Sequence, residues 1–189
     1  MNKTVVIYES KYGSTKRYAQ WIAETLSCPI FERKKFHPRN FSQYEIIIYG
    51  GGLYAGGVSG IKLLTRNSHL LSNKKIVLFT CGIANPDDPD NISNIKKSLQ
   101  KVLTDEMFGH LALFHLRGRL DYSELSFVHK FMMSMLRKML LKKDPQTLRD
   151  EDRQLLETYG RCVDFMDPDS IRPLVEYVAS VPSAQAPLT

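Results

Sequence analysis

Residues Ser10, Lys11, Tyr12, Gly13, Ser14 and Thr15 lie between an apolar run, Thr4–Tyr8, and an amphipathic stretch that begins near Ser14. A strand that turns through small hydroxyl-bearing residues into a helix can hold an anion. The first turn of a helix presents unpaired N–H groups and the positive end of its dipole. The hydroxyls of Ser10, Ser14 and Thr15 add donors, and Gly13 lets the backbone approach closely or take a positive φ. The spacing is neither that of the P-loop nor that of G-x-G-x-x-G. The same residues also make a plain capped turn, with Ser14 or Thr15 as N-cap.

A second unusual stretch is YGGGLYAGGVSG, Tyr49–Gly60. Gly50, Gly51 and Gly52 end the preceding strand in this reading. Glycines permit close approach of the backbone to a flat ligand, and Tyr54 between them could stack on one. The residues in question are Gly51, Gly52, Leu53, Tyr54, Ala55 and Gly56, and the competing reading is a flexible loop with an incidental tyrosine.

These stretches must be positioned by a frame. Thr4–Tyr8, Glu45–Gly50, Lys75–Gly82 and His110–Gly118 read as strands, and CPIFERK as a short strand whose Pro29 marks an edge. Tyr18–Leu26, Ile61–Leu71, a stretch from Asn91 or Ser93 to Leu103, and about Ser170–Ser180 read as helices. Strands alternating with helices, and apolar along nearly their whole length, predict an α/β fold: a doubly wound parallel sheet with helices on both faces. Ligands of such folds sit beyond the carboxyl ends of the strands. That rule selects Ser10–Thr15, Gly50–Gly60, Cys81–Asn91 and the turn at Arg117–Tyr122.

The 189 residues suffice for one domain with a substantial core, expected over residues 1–181 with a flexible tail at 182–189. With 24% charged residues and no long apolar run, the chain reads as a globular protein of the cytoplasm. Cys28, Cys81 and Cys162 form no CxxC or zinc spacing and read as free thiols, and no metal is expected. The net charge of +6 favours an anionic partner. No nucleic acid is expected, because no binding motif accompanies the dispersed Lys and Arg. Oligomeric state is not legible.

After the last strand comes RGRLDYSELSFVHKFMMSMLRKMLLKKDP. It predicts a helical insert over about 122–143, the helix itself from Ser123 to Lys142. Val128, Phe131, Met132, Met135, Leu136, Met139 and Leu140 form one face; His129, Lys130, Ser134, Arg137 and Lys138 lie opposite. The apolar face can pack on the core, lie on an anionic membrane, or line a site for a flat hydrophobic substrate. A second charged helical stretch, DPQTLRDEDRQLLETYG, follows.

The strand followed by S-K-Y-G-S-T and a helix, with the order of the other elements, resembles the flavodoxin family over almost the whole chain. The resemblance implies a five-stranded sheet in the order 2-1-3-4-5 and FMN as cofactor. Ser10–Thr15 would then hold the phosphate, with Lys11 towards solvent. Gly51–Gly56 and Cys81, Gly82, Ile83, Ala84 and Asn85 would flank the flavin, and backbone N–H groups of the latter would reach its pyrimidine edge. Gly118, Arg119, Leu120, Asp121 and Tyr122, followed by the Phe/Met-rich helix Phe127–Leu140, resemble the flavodoxin-type, menaquinone-dependent protoporphyrinogen IX dehydrogenases. That likeness implies electron passage from a porphyrinogen through FMN to a quinone, in heme biosynthesis. It implies contacts of Arg117, Arg119, Met132, Met135, Arg137 and Met139 with substrate or membrane, and a peripheral place at the inner face of the cell membrane. An electron carrier without its own substrate and an NAD(P)H-dependent quinone or flavin reductase are the alternatives.

Overall fold

The computed structural model of the protein describes residues 3–54 and 57–182. Strands β1 (Thr4–Glu9), β2 (Ile30–Glu32), β3 (Ile46–Tyr54), β5 (Lys75–Gly82) and β6 (Leu111–Arg117) form a parallel sheet in the order β2-β1-β3-β5-β6. This is the expected order, with a short strand, β4 (Gly57–Val58), added antiparallel to β3. Helices α1 (Ser14–Leu26), α2 (Lys62–Thr65), α3 (Pro89–Gln100), α4 (Asp105–Gly109) and α7 (Arg172–Ser180) accompany the sheet.

The core lies on both faces of the sheet, as the apolar strands require. Val5, Ile7, Ile47 and Leu78 pack on one side with Leu64 and Leu99. Val6, Ile46, Ile48 and Phe79 pack on the other with Tyr18, Ile22 and Leu174. Burial of each such aliphatic side chain contributes about 1.5–3 kcal/mol. On α1 the buried residues Thr15, Tyr18, Ala19, Ile22 and Ala23 follow helical spacing. The helix stops at Ser27, which takes the left-handed conformation at φ 48°.

The structure corrects several boundaries. The strand expected to end at Gly50 continues as β3 to Tyr54, so Gly50, Gly51 and Gly52 are strand residues and not a loop. A Cβ on Gly50 would lie 2.5 and 2.7 Å from Cε1 and Cε2 of Phe79, and closer still to Cζ. Glycine is needed there because the ring of a neighbouring strand crosses the backbone. The helix expected over Ile61–Leu71 is only the single turn α2 and a short 3-10 segment, Ser68–Leu70. Asn67 Nδ2 donates to the Leu63 carbonyl at 2.7 Å, a side-chain bond that competes with helix continuation.

After β6 the chain departs from the simple alternation. Strands β7 (Arg119–Asp121) and β8 (Cys162–Asp164) form an antiparallel ribbon absent from the sequence reading. Between them lie α5 (Phe127–Leu140) and α6 (Asp150–Thr158). Helix α5 starts at Phe127, not Ser123, because Ser126 is its N-cap: the Ser126 hydroxyl accepts the His129 N–H. The ribbon thus holds both ends of the insert at the carboxyl edge of the sheet.

Candidate functional site

The turn after β1 brings Ser10–Gly13 to the N-terminus of α1. Gly13 takes φ 94°, a value that favours glycine, and an added Cβ there would meet nothing within 4 Å. The Gly13 N–H donates to Ser10 Oγ at 3.1 Å, and no side chain caps α1. The first-turn N–H groups are therefore available to a ligand from outside the helix. Thr15 is buried at 2% exposure, and its hydroxyl bonds the Cys81 thiol. Ser14 Oγ accepts the Arg119 N–H at 3.0 Å, which ties this turn to the start of β7.

Tyr12 reaches across to the insert. Its hydroxyl lies 2.7 Å from His129 Nδ1 and accepts the Ser126 N–H at 3.1 Å. His129 stacks on Tyr54 with centroids 5.3 Å apart and planes 18° from parallel, and Tyr12 meets Tyr54 edge-on at 5.9 Å. Lys11 is exposed, with Nζ 3.5 Å from Ser126 Oγ. Burial, and then the Lys11 charge, holds the His129 imidazole below the usual histidine range. Burial pushes the Tyr54 hydroxyl up to about 12. Both shifts favour the neutral forms of His129 and Tyr54.

These groups open on a cavity of about 520 Å³, within the size range of cofactor and ligand sites. The turns after the parallel strands supply one part of its wall: Tyr12, Ser14 and Thr15 from the first turn, and Leu53 and Tyr54 from the end of β3. Cys81, Gly82, Ile83 and Ala84 come from the end of β5. Burial pushes the Cys81 thiol up to about 12, so it is a packing group and not a thiolate. Gly118 fits closely between turns: a Cβ there would lie 3.0 Å from Cys81 Sγ and 3.1 Å from Ser14.

The insert supplies the rest. Leu120 and Tyr122 come from β7 and the turn after it, Leu125, Met132, Met133 and Leu136 from the approach to α5 and the helix itself, and Leu155 from α6. Arg117 also lines the cavity, fixed by its own bonds. Its Nε donates to the Ile83 carbonyl at 2.8 Å, a terminal nitrogen donates to Gln154, and its Cζ lies 3.7 Å from the centroid of the Phe165 ring. Arg119 pairs with Asp121 at 2.8 Å and Glu124 at 3.5 Å. Asp152, 8% exposed, stands between Lys143 at 3.5 Å and Arg149 at 3.7 Å.

Among the residues singled out from sequence, several do not line this cavity. Ser10, Lys11 and Gly13 form the turn outside it, and Gly51 and Gly52 lie back in β3. Asn85 closes its own loop by accepting the Asp87 N–H at 3.1 Å. Met135, Arg137 and Met139 face away, with Arg137 over the ring of Tyr159. Ala55 and Gly56 lie outside the described residues. Sequence reasoning placed His129 on the polar face of α5, whereas the structure turns it inward. The signal was present: His129, Met133, Leu136 and Leu140 share one arc at helical spacing.

The flavodoxin domain model matches residues 5–147. No curated protein matches the chain. Solved structures similar to it include the Trp repressor binding protein from Bacillus subtilis, at 18% identity over 61% of this chain and 83% of that one, TM-score 0.44. Another is a flavoprotein in complex with FMN from Lactobacillus acidophilus NCFM, at 15% identity over 62% and 93%, TM-score 0.41. A third is oxidised flavodoxin 2 from Bacillus cereus, at 18% identity over 61% and 85%, TM-score 0.42. With its parallel sheet, its uncapped α1 and a match over residues 5–147, this chain belongs to the flavodoxin domain family.

Proposed function

We propose that the cavity binds FMN and that the chain is an FMN-dependent oxidoreductase whose substrate enters from the insert side. The observation that carries this is the shared wall: the family's turns and the insert line one continuous cavity. A carrier that exchanges electrons only with protein partners has no need of the second half.

The residues present fit the cofactor. The uncapped N–H groups of α1 and the open Gly13 turn suit its phosphate, and Tyr54 with Leu53 offers a flat surface at the cavity rim. FMN, when bound, supplies the acceptance and release of electrons. The chain's own groups set the environment: neutral Tyr54 and Cys81, the Arg117 guanidinium held by Ile83 and Gln154, and apolar side chains that exclude water.

The substrate class we propose is a porphyrinogen, with a quinone as electron acceptor. Oxidation of a porphyrinogen to the porphyrin releases six electrons and six protons, and three quinones take them up, each accepting two of both to become a quinol. The reading rests on the likeness of Gly118–Tyr122 and of the Met-rich helix to the menaquinone-dependent dehydrogenases. The apolar wall of Leu120, Tyr122, Leu125, Met133 and Leu136 suits a flat macrocycle. The test is the visible spectrum of protein loaded with FMN. Anaerobic protoporphyrinogen should bleach the bound flavin, and a menaquinone analogue should restore it. Bound flavin that ignores porphyrinogen would overturn the substrate class and leave the cofactor assignment standing.

A further inference from the structure

The exposed side of α5 carries more apolar surface than a solvated helix needs. Phe127 is 87% exposed, Val128 64%, Phe131 61%, Met135 51% and Met139 58%. On a helical projection Phe131, Met135, Val128 and Met139 occupy one continuous arc. The adjoining arc, through His129, Met133, Leu136 and Leu140, faces the protein. The helix therefore has two apolar sides, of which the body covers one. Its 14 residues present the free side over about 20 Å.

The charges beside this arc are of one sign. Lys130, Arg137, Lys138, Lys142 and Lys143 lie within residues 127–143, a span that contains no Asp or Glu. In sequence the flanking carboxylates are Glu124, paired with Arg119 at 3.5 Å, and Asp144, while Asp152 of α6 pairs with Lys143 at 3.5 Å and leaves Lys130, Arg137, Lys138 and Lys142 as the cations beside the arc. Two copies joined through this face would bring these cations together. An anionic lipid surface would instead receive both the apolar ridge and the flanking cations. No helix among the described residues is long and apolar enough to cross a membrane, so the contact would be a surface one.

We propose that α5 is a membrane-docking helix, seated on anionic lipid through Phe131, Met135, Val128 and Met139. The docked arc adjoins the arc that lines the cavity, where Met132 lies at the boundary. Docking thus places the cavity's insert side next to the lipid, whatever substrate it takes.

The test is co-sedimentation of the full chain with vesicles of phosphatidylglycerol and phosphatidylcholine, compared with phosphatidylcholine alone. Binding should need the anionic lipid and weaken as salt rises. Phe131→Glu with Met135→Glu should reduce it about tenfold or more. Both positions are exposed, so the circular dichroism and melting of the variant should match those of the parent. Absence of binding to anionic vesicles would overturn the proposal. So would equal binding by the double variant, or sedimentation velocity showing a dimer in solution that the double variant dissolves.

Discussion

Replacing Gly50 with alanine tests the tightest packing constraint in the sheet. Gly50 and Phe79 are register partners on β3 and β5, and Phe79 is fully buried. The new methyl group would meet three atoms of the Phe79 ring, two of them at 2.5 and 2.7 Å. Real Cβ contacts do not come this close, so the ring or the strand must shift. Overpacking of this kind costs about 1–3 kcal/mol. For a chain of this size, that lowers the melting temperature by about 2–12 °C. Urea unfolding of Gly50→Ala reads the loss directly, with the slope unchanged if only stability moves. Shrinking the ring supplies the control: Phe79→Leu should relieve part of the penalty, giving a coupling of about 1 kcal/mol in a double-mutant cycle. A Gly50→Ala variant as stable as the parent, or losses that simply add, would refute the claim that the ring imposes glycine on β3.

Other outcomes follow from single groups. Burial, and then Lys96, lowers the pKa of His115, whose Nδ1 lies 2.7 Å from Thr80 Oγ1. The folded state therefore resists a proton that the unfolded state accepts near pH 6.5. Stability should be full above that pH and fall as the pH drops through the folded-state pKa, and His115→Gln should flatten this slope in urea titrations. Tyr12→Phe removes the hydroxyl that meets His129 and Ser126, at a cost of about 1 kcal/mol. Amide exchange should then quicken about fivefold in α5 and stay unchanged in the sheet, and equal protection in both would contradict the latch. Thiol labelling at pH 8 should modify exposed Cys162 first and half-buried Cys28 slowly, with Cys81 reacting only on unfolding.

The parallel α/β class was legible because the strands are apolar along nearly their whole length and alternate with helical or turn-rich stretches, while the strand order came from the resemblance to the flavodoxin family. The continuation of β3 through three glycines was not, since glycine is normally a strand-weakening residue. Only the position of Phe79, on a strand about 30 residues away, explains Gly50. The ribbon β7–β8 is not legible in the sequence for a different reason. Its strands are three residues each, too short for alternation to register, and their partners are separated by the whole insert. In α5 the periodicity correctly announced a helix with an apolar face, left open what that face meets, and put His129 on the opposite side. Phe131, Met135 and Met139 are more hydrophobic than His129, yet the contact with Tyr12 and Tyr54 selects the arc containing His129. At the site, local chemistry pointed to Thr15, Tyr54 and Gly82. The part of the wall built by α6, such as Leu155, needed the tertiary structure.

The central claim is that the cavity holds FMN, and titration of the cofactor into the protein followed by flavin fluorescence tests it most directly. We predict quenching that saturates at one FMN per chain and that weakens markedly in Tyr54→Ala. Fluorescence unchanged at every protein concentration would contradict the account, leaving Ser10–Thr15 as no more than a turn between β1 and α1.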